Sequence, residues 1–391
     1  MTQGMERAEA GVGRARRCRW ASVGRSTHPD PAIAGREAAR AALSDQADAG
    51  LLLVFASGAH ELRPLAAEIS DVAAGIPVVG CSSAGEIGGG GAGAASVVVL
   101  ALGGDGLSFS AAAVSAADDP RDAGARAGAC VGDVADRDHQ VLLLLTDGPP
   151  ARQAEIVRGA YSVAGAGVPL VGGGAAHPEH DGASALLYGG TLLNDAVIGV
   201  AIGSDAPFGV GVRHGWRAVG DPLLVTRAAP GRVLELDGRA AAEVYRERLG
   251  GRPSLDVMLT HPLGLQRRVG EAHVRFVDDD DAPDGSVGCA LPAGALAWVM
   301  EAERDDVLAA TDAACADALA GLGDHPAQAL LVFDCAARLR LLGDATGDEL
   351  ARIAHHAGDA TVAGLYTWGE IARTRGSAGF HQQTLVVLAL A

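Results

Sequence analysis

Two stretches of the chain repeat one pattern: a glycine, four residues, and then Gly-Glu-Ile. Residues 80–87 are Gly-Cys-Ser-Ser-Ala-Gly-Glu-Ile, and residues 364–371 are Gly-Leu-Tyr-Thr-Trp-Gly-Glu-Ile. Each follows a short apolar run, which predicts a buried strand ending in a sharp turn that carries one carboxylate. Glycine lets a backbone approach a ligand closely, and ligands bind at such turns in α/β proteins. The alternative is a turn whose glutamate only caps backbone N–H groups.

The side chains at these turns are suited to recognising a small polar molecule. Glu86 and Glu370 would take an ammonium group, and Arg338, just past another strand end, would hold a carboxylate. Arg338 could equally pair with a structural acid such as Glu370. The expected ligand-binding residues are Cys81, Ser82, Ser83, Glu86, Arg338, Tyr366, Thr367, Trp368, Glu370 and His381.

Several other chemistries are disfavoured by residue type. Glu86 stands where a phosphate-binding P-loop has its lysine, and a carboxylate there would repel phosphate. All 31 basic residues are arginine, so no lysine can form a Schiff base or hold pyridoxal phosphate. The six cysteines form no Cys-x-x-Cys pair, and residues 177–181 (His-Pro-Glu-His-Asp) have no evident third ligand. We therefore expect no metal and no cofactor.

Catalysis is the principal alternative to binding. Cys81, Ser83 and Gly85 follow a predicted strand at the spacing of a degenerate nucleophile elbow. A hydrolase or transferase using Cys81 or Ser83 would also need a base and an orienting acid, which one sequence cannot place. A purely structural interaction module is a third interpretation, favoured if both turns are buried and capped.

Length and charge restrict the partners. A chain of 391 residues favours two domains, and its net charge of −17 argues against nucleic acid or an anionic membrane as partner. No apolar run reaches the roughly 18 to 20 residues of a membrane span. We expect a soluble, cytoplasmic protein without membrane insertion.

The order of predicted elements repeats along the chain. Strand 51–57, helix 60–74, strand 76–81 and strands 96–102 and 107–114 form one set, the last two joined as a hairpin through residues 103–106. A second set occupies residues 141–202: Leu144 lies 90 residues after Val54 and Pro169 lies 92 after Pro77. A third, partial copy covers strand 330–333, helix 346–357 with a capping box at its start, and strands 361–366 and 383–390. Residues 255–259 and 273–277 are further predicted strands.

The expected fold is α/β, with two domains built from repeated β-α-β-β-type units with mixed sheets. Residues 1–18 lack hydrophobic periodicity and are expected to form a disordered tail. The N-terminal domain would then cover residues 19–220, with an internal duplication, and the C-terminal domain residues 221–391.

Five motifs together resemble the FIST family, which pairs an N-terminal and a C-terminal FIST domain. They are residues 80–87, 236–238, 335–338, 364–371 and 380–384. The resemblance implies a sensory input module that binds small molecules such as amino acids and acts in signal transduction without catalysis. Ala337 and Gln382 depart from the usual motifs, which have glycine and asparagine there. No output segment follows Ala391, so we expect the partner to be a separate signalling protein.

Overall fold

Three copies of one structural unit make up most of the protein. The computed structural model describes residues 19–44, 48–89, 91–93, 95–179, 182–265, 272–373 and 379–391. The expected disordered tail lies outside these residues. The first repeat comprises β1 (Trp20–Ser26), α1 (Pro31–Leu43), β2 (Ala49–Ser57), α2 (Leu62–Ala73), β3 (Val78–Ser83), β4 (Gly85–Gly88), β5 (Gly91–Gly93) and β6 (Val97–Gly103).

The second repeat has the same order, with a 3-10 turn added after its first helix. It comprises β7 (Leu107–Ser115), α3 (Pro120–Gly128), β8 (His139–Thr146), α4 (Pro150–Ala164), β9 (Leu170–Gly174), β10 (Leu186–Tyr188), β11 (Thr191–Leu193) and β12 (Ala196–Ser204). The first helices of both repeats begin alike: Asp30 and Asp119 each accept two backbone N–H groups, and a proline follows each.

The third repeat is split by an insertion after its first strand, β13 (Phe208–Arg213). The inserted unit comprises β14 (Arg217–Ala229), β15 (Arg232–Leu236), β16 (Arg239–Ala240), α5 (Ala241–Arg248), α6 (Leu255–Thr260), β17 (Leu263–Leu265), β18 (His273–Arg275), β19 (Val287–Gly288) and β20 (Leu296–Glu301). The repeat then continues with α7 (Arg304–Ala320), β21 (Ala329–Cys335), α8 (Ala336–Leu342), α9 (Thr346–Ala357), β22 (Thr361–Thr367), β23 (Glu370–Arg373), β24 (Phe380–His381) and β25 (Leu385–Leu390).

Each repeat contributes a two-stranded hairpin to the sheet of another repeat. The strand orders are β1-β6-β2-β3-β10-β11, β7-β12-β8-β9-β23-β24 and β13-β25-β21-β22-β4-β5. The first repeat thus extends the sheet of the third, the second extends that of the first, and the third extends that of the second. The exchange is cyclic and interlocks the three sheets. In each sheet the two central strands are parallel and the other pairs are antiparallel.

The inner faces of these three sheets share one apolar core. Phe55, Leu145 and Phe333 occupy equivalent positions in the three repeats, and all three are fully buried. The rings of Phe55 and Phe333 meet edge to face with centroids 6.5 Å apart. The helices of each repeat cover the outer face of their own sheet, giving a helix layer, a sheet layer and a common centre.

A glycine in the middle of each parallel strand pair lets the strands lie against one another. Gly80, Gly172 and Gly364 pair with Val54, Leu144 and Val332. A Cβ atom on these glycines would lie 2.1, 1.9 and 2.1 Å from the carbonyl oxygens of those partners. The first glycine of each predicted motif is therefore required by sheet packing.

The repeated α/β units with mixed sheets are confirmed, whereas three local predictions are wrong. Strands β6 and β7 belong to different sheets, so residues 103–106 connect two repeats and form no hairpin. Residues 255–260 are helix α6. Helix α9 has no capping box, because Glu349 is buried in an ion pair. The domain boundary at residue 220 stays a prediction, and β14 runs across it.

Replacing Gly364 by alanine should destabilise the protein. The new methyl group has no room beside the Val332 carbonyl oxygen, and overpacking of this kind costs about 1–3 kcal/mol or more. Urea denaturation would measure the change. The matched control is Gly347→Ala in α9, where no atom lies within 4 Å of the added Cβ and a gain of about 0.5–1 kcal/mol is expected. Equal stability of the two variants would contradict this account of the glycine.

Candidate functional site

The two predicted turns meet at the centre of the molecule, together with their counterpart in the second repeat. A ring of three equivalent backbone hydrogen bonds joins them. Ala84 N donates to Tyr366 O at 3.0 Å, Ala176 N donates to Ser82 O at 2.9 Å, and Trp368 N donates to Gly174 O at 3.3 Å. Each repeat thus donates to one neighbour and accepts from the other.

Glu86 lies fully buried behind this ring. Its carboxylate accepts hydrogen bonds from the Ser83 hydroxyl, from the Ser96 hydroxyl at 2.6 Å and from the Ser96 backbone N–H at 3.2 Å. Burial raises the pKa of Glu86 to about 7, although these hydrogen bonds act in the opposite direction. The side chain is held by the protein on both carboxylate oxygens.

Glu370 has the same arrangement in the third repeat. It is fully buried, and it accepts from the Thr367 hydroxyl at 2.8 Å and from the Thr384 backbone N–H at 3.0 Å. The Cys335 thiol also hydrogen bonds with it. Burial raises the pKa of Glu370 to about 8, so the protonated form predominates at neutral pH. Both glutamates therefore contact a backbone amide, as the capping alternative expects.

The second repeat supplies its carboxylate from a different strand. Sheet register places Leu186 where the other repeats have Glu86 and Glu370: opposite Cys81, as those lie opposite Leu365 and Gly173. Asp147, just past the end of β8, instead accepts from the backbone N–H of Ala196 at 2.9 Å. Burial raises the pKa of Asp147 as well. Sequence reasoning missed this residue because its equivalence appears only in the sheet register.

These three carboxylates mark one recurring turn. Ser96, Ala196 and Thr384, whose amides they bind, each open the closing strand of a repeat. The residues just before them are in the left-handed region although none is glycine: Ala95 (φ 60°), Asp195 (φ 48°) and Gln383 (φ 58°). Because the same conformation recurs three times, it belongs to the fold and not to one site.

Arg338 makes a buried ion-pair network. Its Nε donates to Asp334 at 2.7 Å and its Nη2 to Glu349 at 2.6 Å, with all three side chains fully buried. Nη2 also donates to the Thr311 hydroxyl at 2.7 Å and Nη1 to the His214 carbonyl at 2.8 Å. Each guanidinium nitrogen thus has a protein partner, and none of these partners is Glu370. Glu349, the larger surprise, had been expected to cap a helix.

Tyr366 and His381 also face protein groups. The Tyr366 hydroxyl donates to Glu349 at 3.4 Å, which joins it to the Arg338 network. The His381 Nε2 lies 3.0 Å from the carbonyl oxygen of Ala372, and its ring stacks on His273 with centroids 5.9 Å apart. Burial lowers the pKa of His381 to about 3, so the ring is neutral.

A cavity of about 170 Å³ lies beside Glu370, where the second repeat, the third repeat and the insertion meet. We call it the junction cavity. Its wall brings Trp368 and Cys335 together with residues that sequence reasoning did not single out. These include Phe276, Asp278, Gln382 and Gln383. Cys81, Ser82, Ser83 and Glu86 are not in this wall, so the two predicted turns do not share it.

Gln383 is the distinctive residue of the junction cavity. Its side chain is 1% exposed, and its Nε2 donates to the Leu259 carbonyl oxygen at 2.9 Å. Among the described residues, no donor lies within hydrogen-bonding distance of its Oε1. An unsatisfied buried acceptor costs about 1–3 kcal/mol, so such atoms call for an explanation. The neighbouring Gln382 uses its Oε1 to accept from Phe276 N at 3.2 Å.

The nucleophile interpretation gains no support from the geometry. Burial, followed by the proximity of Glu86, raises the pKa of the Cys81 thiol, which disfavours the thiolate. The Ser83 hydroxyl donates to Glu86. No histidine nitrogen in the described part of the chain hydrogen bonds with either side chain.

No metal site emerges from the residues that the structure describes. Nowhere among them do three His, Cys, Asp or Glu side chains gather closely enough to hold an ion. His180 and Asp181 of the 177–181 motif lie outside the described residues. Within the same limits, no helix combines the length and the apolar character needed to cross a membrane.

Family models match most of the chain. The FIST N domain matches residues 50–239, and the FIST C domain matches residues 241–373. The chain belongs to the FIST family. FIST domains are regarded as sensory domains for small ligands. The FIST C match contains Arg338, Trp368 and Glu370, whereas Gln382 and Gln383 lie beyond its end.

Comparison with solved structures adds no functional argument. A cyanuric acid hydrolase, described as an evolutionary innovation by structural concatenation, is 12% identical, with a TM-score of 0.34 over 95% of this chain and 100% of its own. A cyanuric acid hydrolase from A. caulinodans is 11% identical, with a TM-score of 0.36 over 95% and 99%. These scores are too low for an inference about the FIST protein. A search of proteins with curated functions finds no match.

Raising the pH should destabilise the native protein, and Glu370→Gln should weaken that effect. The folded-state pKa of about 8 exceeds the ordinary value of 4.5, so this group's contribution is complete below pH 4.5 and is lost as pH rises through 8. Each pKa unit corresponds to about 1.4 kcal/mol, so the loss is on the order of a few kcal/mol. Glutamine mimics the protonated acid.

Denaturation midpoints measured between pH 5 and 9 would check this prediction. Glu243→Gln, on an exposed helix surface, is the control and should keep the native pH dependence. An unchanged slope in Glu370→Gln would show that this carboxyl group does not titrate as described.

Proposed function

We propose that this protein is a small-molecule sensory receptor without catalytic activity, and that the junction cavity is its binding site. The observation that carries the proposal is the buried Oε1 of Gln383, an acceptor without a protein donor in the wall of a cavity. A concave site with a few convergent polar groups among apolar and aromatic side chains is typical of ligand pockets. The FIST family is associated with the same general function.

The position of the junction cavity suits a sensory role. Its wall includes Leu259, Phe276 and Asp278 from the insertion, Gln153 from the second repeat and Trp368 from the third. A ligand there would contact three parts of the protein at once and would favour the arrangement in which they close on it. Transmission to a separate signalling protein, and a cytoplasmic location, are parts of this proposal.

The predicted role of Glu370 changes in this proposal. Its carboxyl group is shielded by Cys335, whose thiol both hydrogen bonds with it and lines the cavity. Glu370 then positions the wall and does not contact the ligand. Glu86 and Arg338 likewise support the fold around the site. Amino acids, the ligand class expected from the family, belong in the first screen because they are of suitable size.

A thermal-shift screen of small metabolites, including the amino acids, tests the receptor function. A ligand that binds only the folded protein raises its stability by mass action, by about 2.7 kcal/mol at a hundredfold excess over Kd. The variant Ala337→Leu narrows the junction cavity and should abolish the shift. Ala320→Leu, an equal addition on an exposed helix position, should preserve it. The proposal fails if no metabolite shifts the melting temperature, or if both variants respond like the native protein.

A further inference from the structure

We propose that the junction cavity selects a small amine or primary amide, a ligand with N–H donors and no anionic group, and that Gln383 is the residue that reads this feature. The inference rests on the receptor function proposed above and specifies its ligand class. It departs from the sequence expectation of a ligand whose carboxylate is held by Arg338.

The orientation of the Gln383 amide is fixed by its protein contact. The Leu259 carbonyl can only accept a hydrogen bond, so the group 2.9 Å from it must be the Nε2 of Gln383. The remaining atom of the amide, Oε1, is therefore an acceptor. Since no described residue donates to it, the complementary ligand group is a donor.

The charged and aromatic groups of the wall favour the same ligand class. Asp278 brings a carboxylate to the cavity, and burial keeps the Cys335 thiol neutral by raising its pKa. Trp368 and Phe276 offer aromatic rings, whose faces attract cations. Arginine and histidine are absent from the described wall, and the chain contains no lysine. A ligand carboxylate would thus be desolvated without a counter-charge.

Comparison of the three repeats separates the side chain of Gln383 from its backbone. Ala95 and Asp195 occupy the equivalent positions with the same left-handed conformation. The turn therefore forms with alanine or aspartate as well, and it does not require glutamine. The amide of Gln383 is a local addition, present only where the repeat borders the insertion.

The cavity volume limits the size of the ligand. An engineered protein cavity of about 150 Å³ holds benzene, so about 170 Å³ suits a molecule of roughly six to eight non-hydrogen atoms. Alaninamide, propionamide, alanine and propionate all lie at or just below this size. They differ mainly in whether they present a donor group or a carboxylate.

Isothermal titration with these four probes tests the ligand class. L-alaninamide and propionamide should bind the native protein at least tenfold more tightly than L-alanine and propionate. Gln383→Met keeps the length of the side chain but removes the acceptor, and it should weaken amide binding at least tenfold. Gln140→Met, at a half-buried site outside the cavity wall, is the control and should bind like the native protein.

A second variant covers the case in which Gln383→Met does not fold. Gln383→Glu keeps an acceptor and adds negative charge, so it should bind the cationic L-alaninamide more tightly and reject propionate more strongly. The inference is overturned if the carboxylates bind as well as the amides, if none of the four probes binds, or if the Gln383 variants bind like the native protein. Carboxylate binding that is lost in Ala337→Leu would leave the receptor function standing with another ligand class.

Discussion

A buried carboxylate bound to the amide that opens the closing strand is the contact on which each repeat depends. Glu86, Asp147 and Glu370 make it with Ser96, Ala196 and Thr384. The amide follows a residue held at positive φ, where the backbone turns sharply and its N–H would otherwise be buried without a partner. Satisfying that donor lets the chain return into the sheet beside the ring of hydrogen bonds that joins the three repeats.

This contact also explains why the acids are kept largely protonated. Burial raises the pKa of Glu86 to about 7 and that of Glu370 to about 8, because the surrounding sheets exclude water from both. An acid in such a place can form hydrogen bonds without the full cost of burying a charge. The buried charge of Arg338 is compensated in another way, by two carboxylates and by backbone carbonyl groups.

The sequence predicts the local elements of this fold better than their partners. The spacing of Gly80 and Gly364 and the apolar runs before them correctly indicate buried strands with equivalent turns. The hairpin exchange between repeats is not visible in the sequence, because each hairpin pairs with a strand far away along the chain. The same holds for Asp147, whose role depends on register, and for Glu349, which contacts Arg338 only through helix packing.

The candidate site arises where the threefold pattern is broken. The insertion places Leu259 and Phe276 over one junction between repeats, and the Gln382 and Gln383 side chains bind their backbone groups. Sequence reasoning recovered Trp368 of this wall and noted Gln382 as a departure from its family. It could not identify Gln383, because the significance of that side chain comes from a missing donor in three dimensions.

A crystal structure of the protein with L-alaninamide most directly tests the account. It should show the ligand in the cavity beside Trp368, with an N–H group within hydrogen-bonding distance of Gln383 Oε1 and the Nε2 bond to Leu259 preserved. A cavity without ligand at saturating concentration, or a Gln383 amide turned to another protein partner, would contradict it.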